Sequence, residues 1–154
     1  MRHPVSTMAA SRRSDGAYAV TRTYHFSAAH RLASAAFSDE ENAEVYGQCF
    51  RQHGHNYLLE VTVSGALDPA TGMSVDIGIV DRAVKTAVLD RVDHYDLSAT
   101  VPALAGVITT GENLARTFWE WLEGALPPGR LRRVALVETA NNVFEYCGES
   151  ATAR

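Results

Sequence analysis

Only two cysteines, Cys49 and Cys147, occur in 154 residues. That is too few for a disulfide framework, so each thiol has to be judged by its own neighbours. A basic excess is also missing, because 14 lysines and arginines stand against 18 aspartates and glutamates, a formal net charge of −4. This excludes the polyanion-binding surface that a nucleic-acid partner requires, while leaving room for a basic pocket around one phosphorylated small molecule. No run approaches the roughly 18 apolar residues that span a bilayer, and the first residues carry arginines without the apolar stretch of a signal peptide. The expectation is a cytoplasmic protein with no membrane partner.

What is present suffices for one ordinary core: 46% of the residues are hydrophobic, enough for a single domain and too few for two. Residues 1–15 mix Arg, Ser, Ala and Pro without periodicity and read as a mobile terminus, leaving 16–154 as the domain. Residues 18–28 alternate, with Val20, Tyr24 and Phe26 on one parity, and residues 56–65 do the same with Leu59, Val61 and Val63; both are predicted strands. Between them the segment Ser38-Asp39-Glu40-Glu41-Asn42 reads as a polar stretch. Asp68-Pro69-Ala70-Thr71-Gly72 marks a turn. Ile77, Val80, Val84, Val88 and Val92 then recur at helical spacing over 76–93. A second helix is announced by Thr109 as N-cap with Glu112 three residues on, and its apolar stripe is Leu114, Phe118, Trp121, Leu122 and Ala125. Residues 133–138 and 143–147 close the chain as two strands around Asn141-Asn142.

The order β, β, α, α, β, β predicts an α+β fold, a four-stranded antiparallel sheet with both helices on one face. The bare face reads as apolar enough to want cover from neighbouring subunits, and four strands leave two edges open for pairing between copies. A homo-oligomer is expected.

Of six histidines, three form a pattern. His53-Gly54-His55 opens the second strand, and the two-residue period puts both imidazoles on one face. Gly54 lets the backbone come close. His30 follows the first strand, where antiparallel pairing brings a third imidazole toward the same place. Three neutral nitrogens with an open position form the ligand set of a catalytic zinc site. His25 has the opposite parity to His30.

Candidate acids and bases follow. Cys49 precedes His53 in the loop Gly47-Gln48-Cys49-Phe50-Arg51-Gln52. It is open to three readings: base or nucleophile beside a dication, fourth metal ligand, or inert buried thiol. Asp93-His94 offers a carboxylate next to an imidazole, either a proton-moving pair or a solvated helix terminus. Adjacent residues seldom pair within regular structure, so such a dyad needs a bend or a partner subunit. Glu138 ends a strongly apolar strand, where a carboxylate is paired, solvated or used, for instance to accept two N–H bonds from an amidine-like ring edge.

In order along the chain, Phe26-Ser27-Ala28-Ala29-His30-Arg31-Leu32, Cys49 with His53-Gly54-His55-Asn56, Asp93-His94, Thr110-Gly111-Glu112-Asn113 and Glu138-Thr139 resemble the 6-pyruvoyl-tetrahydropterin and 6-carboxy-tetrahydropterin synthase family over about residues 18–148. The resemblance implies the tunnelling fold, with sheets joined across subunits into a barrel, trimers stacked as hexamers, and active sites built between subunits. It implies Zn2+ on His30, His53 and His55, Cys49 as base, Asp93 and His94 as proton relay, and Glu138 as pterin anchor assisted by groups around Thr109 and Thr110.

The implied substrate is 7,8-dihydroneopterin triphosphate, and two outcomes divide the family. One enzyme stops at 6-pyruvoyl-tetrahydropterin after losing triphosphate. The other goes on to release acetaldehyde and leave 6-carboxy-tetrahydropterin, the precursor in deazapurine and queuosine-type synthesis. The three residues between Cys49 and His53 match the carboxy-forming branch, whereas Ser38 to Asn42 and Thr139 to Asn142 look like the pyruvoyl branch. Spacing fixes where the base sits relative to the metal, so the expectation is the carboxy-forming lyase, with triphosphate elimination alone as the alternative and non-catalytic zinc and pterin binding as a third.

Overall fold

The computed structural model describes residues 18–149, and the terminus expected to be mobile, 1–15, lies outside the described residues. Strand β1 (Tyr18–His30) pairs antiparallel with β2 (His53–Gly65), which pairs with β3 (Leu131–Thr139), which pairs with β4 (Asn142–Tyr146), giving a sheet in the order β1-β2-β3-β4. The antiparallel α+β fold is as expected. Both early strands run longer than predicted, so that His30, His53 and His55 lie inside the ladder rather than beside it.

Alternation decides which side chains meet. Phe26 faces Tyr57, Ala28 faces His55 and His30 faces His53 across the β1–β2 ladder, while Leu59 and Val61 face Leu136 and Val134 on β3. These even positions of β1 and β3 and odd positions of β2 form one buried face, with Tyr57, Leu59, Val61, Val134 and Leu136 fully buried. Phe26 stacks on Tyr57 with ring centroids 4.7 Å apart and meets Phe118 edge-on at 6.0 Å.

The helices cover that face. The predicted helix over 76–93 is a continuous run of three pieces: α2 (Ile77–Val84), a π turn (Lys85–Leu89) and α3 (Asp90–Val92), capped by the Asp76 side chain on Gly78 N–H at 2.9 Å. Its stripe explains the π turn. Steps of four residues drift by about 40° each around an α-helix, and the wider turn returns Val84, Val88 and Val92 to the core, where all three are fully buried. Arg22 and Tyr24 of β1 fasten this helix by donating to Asp81 at 2.9 Å and 2.7 Å.

Helix α4 (Gly111–Glu123) begins one residue later than predicted. Its N-cap is Thr110, whose hydroxyl accepts from Asn113 N–H at 3.3 Å, because Thr109 is buried and engaged elsewhere. The core residue among its tryptophans is Trp119. Trp121 is only partly buried and lies under the Arg91 guanidinium at 4.9 Å. Gly111 is required where α4 crosses β4, since a Cβ there would lie 2.0 Å from the Phe144 ring.

One element escaped the sequence reading. The stretch containing Ser38 to Asn42 is helix α1 (Asp39–Tyr46), opened by a reciprocal capping box between Ser38 and Glu41. Its buried Asn42 accepts from Ser34 N–H at 2.7 Å and donates to the carbonyls of Ser34, Phe37 and Ser38. This amide holds the loop after β1 closed, and a 3-10 turn (Gly47–Phe50) then carries Cys49 into β2.

The opposite sheet face is not the apolar surface expected. Thr21 bonds Thr62 at 2.7 Å, Ser27 bonds Asn56 at 2.7 Å, and Arg133 bridges Glu60 at 2.9 Å and Glu145 at 2.7 Å. These paired charges and hydroxyls alternate with Leu58, Ala135, Val137 and the exposed Val143, so the face is mixed in character and not uniformly apolar. The edges differ: among the described residues β4 has only β3 beside it, and β1 gains only a short parallel bridge from Asp96 to Ala29.

Candidate metal centre and active site

At one end of the sheet's helix-facing side, the β1–β2 register places His30 directly opposite His53, with His55 one period along. Gly54 between them faces the other way, and a Cβ on it would lie 3.2 Å from the Ala28 carbonyl oxygen, so the glycine permits the close strand approach. Each imidazole offers one ligand atom to a cluster whose members all lie within 4.8 Å of one another. Three ligands from two adjacent strands are therefore fixed by backbone pairing.

The tautomers are set from behind. The Nδ1 of His30 lies 3.0 Å from the Thr109 carbonyl oxygen, an acceptor, so Nδ1 carries the hydrogen and Nε2 the lone pair. Thr109 also offers its hydroxyl at 3.3 Å and reaches Ser98 on its far side. In the same way His53 Nδ1 donates to the Arg51 carbonyl at 2.7 Å, leaving its Nε2 free. Backbone carbonyls that orient imidazoles in this manner are the usual outer support of a metal site.

His30 supplies the test of fit. Its side chain is 1% exposed, and its Nε2 is buried with no hydrogen-bond partner. A lone pair left without a donor in a dry interior is costly, and a cation at the centre of the cluster would satisfy it. Burial, then the neighbouring His53 and His55, hold the His30 pKa below its ordinary value, and burial does the same for His55. Both rings are neutral at pH 7 and ready to ligate. The three residues fit a metal ion.

Glu138 joins them. Its Oε1 lies 3.7 Å from His30 Nε2 and 3.6 Å from His55 Nε2. The β3–β4 ladder shifts register between Val137 and Thr139, which places Glu138 at an irregularity of the kind that re-aims a side chain. Cys49 is half-buried in its 3-10 turn, tied to the end of β1 by Leu32 N–H donating to its carbonyl at 2.8 Å. Among the described residues the cluster of ligand atoms is the three imidazoles, without the Cys49 thiol.

Asp93 and His94 do form a dyad, and the bend that makes it is local. His94 adopts φ 66°, the positive-φ non-glycine among the described residues. This left-handed step turns its ring back so that Nδ1 donates to Asp93 Oδ1 at 2.8 Å. The same oxygen accepts from Ser27 N–H at 3.0 Å, and His94 N–H donates to the Ser27 carbonyl. The strain of such a conformation, of order 1–2 kcal/mol, is held by these anchors along the edge of β1. His94 Nε2 is left as a free acceptor on a side chain 81% exposed. No hydrogen bond or ion pair among the described residues joins the dyad to the histidine cluster, although an open groove of about 460 Å³ touches both His94 and His55.

Thr109 and Thr110, expected near the substrate, have structural engagements: Thr109 orients His30 and Thr110 caps α4. Tyr57, which the sequence reading passed over, lines the inner wall of the cluster with its ring centroid 5.3 Å from that of His55. Its place in the odd series His53, His55, Tyr57 was the available signal.

Fold and site together define an α+β protein whose three-histidine pocket, flanked by a carboxylate, can hold a metal ion. The model of the 6-pyruvoyl tetrahydropterin synthase family matches residues 19–149, and the chain belongs to that family. The 6-pyruvoyl tetrahydrobiopterin synthase of Pongo abelii is 44% identical over 132 residues, covering 84% of this chain and 91% of that protein. The 6-carboxy-5,6,7,8-tetrahydropterin synthase of Aquifex aeolicus is 28% identical, covering 82% and 96%. The solved 6-pyruvoyl tetrahydropterin synthase of Caenorhabditis elegans superposes with a TM-score of 0.83 at 36% identity, covering 87% of this chain and 97% of that one.

Proposed function

We propose that this chain is a zinc-dependent lyase that eliminates triphosphate from 7,8-dihydroneopterin triphosphate to give 6-pyruvoyl-tetrahydropterin. The observation that carries the reading is the buried, unpartnered Nε2 of His30 converging with His53 and His55 in this family's fold. The greater likeness to pyruvoyl-forming relatives, 44% against 28% for the carboxy-forming one, reverses the preference drawn from the Cys49–His53 spacing. That three-residue spacing still favours acetaldehyde release as a second reading.

A zinc ion bound by the three imidazoles supplies Lewis acidity toward the paired hydroxyls of the substrate side chain. Cys49, on a turn anchored to the end of β1, takes the carbon-bound proton. Asp93 keeps the hydrogen on His94 Nδ1, so His94 accepts and returns protons at Nε2. Because that nitrogen faces outward at an open sheet edge, the working site forms when a second copy docks there, and we infer a trimer or hexamer. Thr109 holds the ring of His30, and Thr110 fixes the start of α4 beside it.

Glu138 takes a task other than anchoring the ring. The amidine edge of a pterin lies at the opposite end of the bicycle from the side chain that the metal grips. A carboxylate 3.6 Å from His55 Nε2 supports a role at the side-chain hydroxyls in preference to the anchoring role that the resemblance implies. Incubation of the purified protein with dihydroneopterin triphosphate tests the reading. Triphosphate with a 6-pyruvoyl product supports it; acetaldehyde in step with triphosphate transfers the assignment to the carboxy-forming reaction; pterin binding without turnover makes it a binding protein.

A further inference from the structure

The helix layer carries a groove on its solvent side. It runs between the α2–π–α3 run and the end of α4 with Gly124 and Ala125 beyond it, and holds about 540 Å³. No residue of the histidine cluster and no strand residue lines it, so strand pairing between copies at the open sheet edges does not engage it.

Charge sets this groove apart. The chain has a net charge of −4, yet the charged residues in the groove wall are two exposed arginines, Arg82 and Arg91, with no carboxylate between them. Other cations on the same helices are neutralised: Lys85 bonds Asp90 at 2.7 Å, and Arg116 reaches Glu120 and Glu149 at 3.2 Å. Among the described residues Arg82 and Arg91 have no ion pair. The carboxylates beside Arg82 are engaged already, Asp76 by the Gly78 N–H and Asp81 by Arg22 and Tyr24.

The rest of the wall is small or apolar. Ala83 and Ala87 on one helix and Gly124 and Ala125 on the other leave a channel, with the exposed Ile79 toward the start of α2. The Arg91 guanidinium lies on the Trp121 ring at 4.9 Å, which fixes its plane and leaves an N–H edge for an acceptor. A trough between two helices with an apolar floor receives a third helix by its apolar stripe. Arg82 and Arg91 stand about 13 Å apart along the helical run, at ~1.5 Å per residue. Carboxylates between two and three turns apart on the incoming helix match that spacing, and the cations select them.

We propose that this groove is a docking site for an acidic amphipathic helix of a partner protein, its apolar side on Ala83, Ala87 and Trp121 and its carboxylates on Arg82 and Arg91. The inference is independent of the pterin reaction, because no group of the metal pocket takes part. The acidic helix α1 of a second copy is the competing occupant.

The test uses the full zinc-loaded protein and a labelled peptide of about 15 residues, with leucine at every third and fourth position and glutamates flanking that stripe. Fluorescence anisotropy compares it with the same peptide carrying glutamine for each glutamate. The acidic peptide should bind at least about tenfold tighter than the neutral one at low salt, and the difference should shrink as salt rises. Arg82→Glu with Arg91→Glu should abolish the preference, while metal content and the oligomer mass by light scattering stay at wild-type levels. Arg82→Gln and Arg91→Gln, each alone, should lower it about threefold or more, and they decide the matter if charge reversal impairs folding. Equal binding of the two peptides, or a preference that survives both neutral substitutions, would overturn the proposal. A fall in oligomer mass on charge reversal would overturn it as well, by assigning the groove to α1 of a second copy.

Discussion

Replacing His30 by leucine separates what the metal pocket contributes from what it costs. The side chain is of similar bulk and the site is buried, so the change opens no large cavity. It removes a buried Nε2 without a partner, a relief of about 1–3 kcal/mol, and it deprives the Thr109 carbonyl of its 3.0 Å donor, a loss of similar size. The two offset, and the metal-free His30→Leu protein should unfold within about 2 kcal/mol of the metal-free wild type. Zinc at a thousandfold excess over its dissociation constant stabilises the wild type by about 4 kcal/mol. At ~2–4 °C per kcal/mol for a chain of this size, that amounts to about 8–16 °C in the unfolding midpoint. Calorimetric scans with chelator and with zinc should show this rise in the wild type and its absence in His30→Leu. A zinc-dependent rise surviving the substitution would refute the assignment of His30 as ligand; a metal-free variant destabilised by far more than 2 kcal/mol would refute the orphaned nitrogen as a cost.

Other perturbations probe other links. Cys49→Ala should abolish turnover while metal content, measured by atomic emission, stays at the wild-type level; loss of the metal would make Cys49 a ligand. Gly111→Ala drives a methyl into the Phe144 ring and should cost about 1–3 kcal/mol in denaturant unfolding, with zinc affinity unchanged. Acidification should weaken the metal-free fold: His30 and His55 are held below their ordinary value of 6.5, so the unfolded chain takes up protons first. Their contribution is whole above pH 6.5 and is lost as pH falls through the lower folded values, while zinc affinity declines in the same direction; a midpoint that rose on acidification would contradict this sign.

The histidine cluster was legible because a strand's two-residue period carries parity directly from sequence to space. His53 and His55 had to share a face, and His30 shares the parity of Phe26 and Ala28. The Asp93–His94 dyad was half legible: the residue types were plain, but the turn at His94 is a left-handed step by a non-glycine residue, which local preference does not foretell. Two adjacent threonines each suit an N-cap, and only the tertiary bond from His30 to Thr109 assigns the cap to Thr110. Helix α1 was readable in Ser38 and Glu41 as a capping box but is short and weakly amphipathic, so its polarity hid it. The position of Glu138 depends on a shift in the β3–β4 ladder, and the mixed bare face on cross-strand pairs, both fixed by registers that a single strand does not reveal.

X-ray absorption of the zinc-loaded protein tests the central claim most directly. Three imidazole nitrogens and a further light atom at about 2.0–2.2 Å, with one zinc per chain, are the result expected for a pocket of His30, His53 and His55. A sulfur shell near ~2.3 Å would place Cys49 on the metal, and the absence of an imidazole signature would contradict the site altogether.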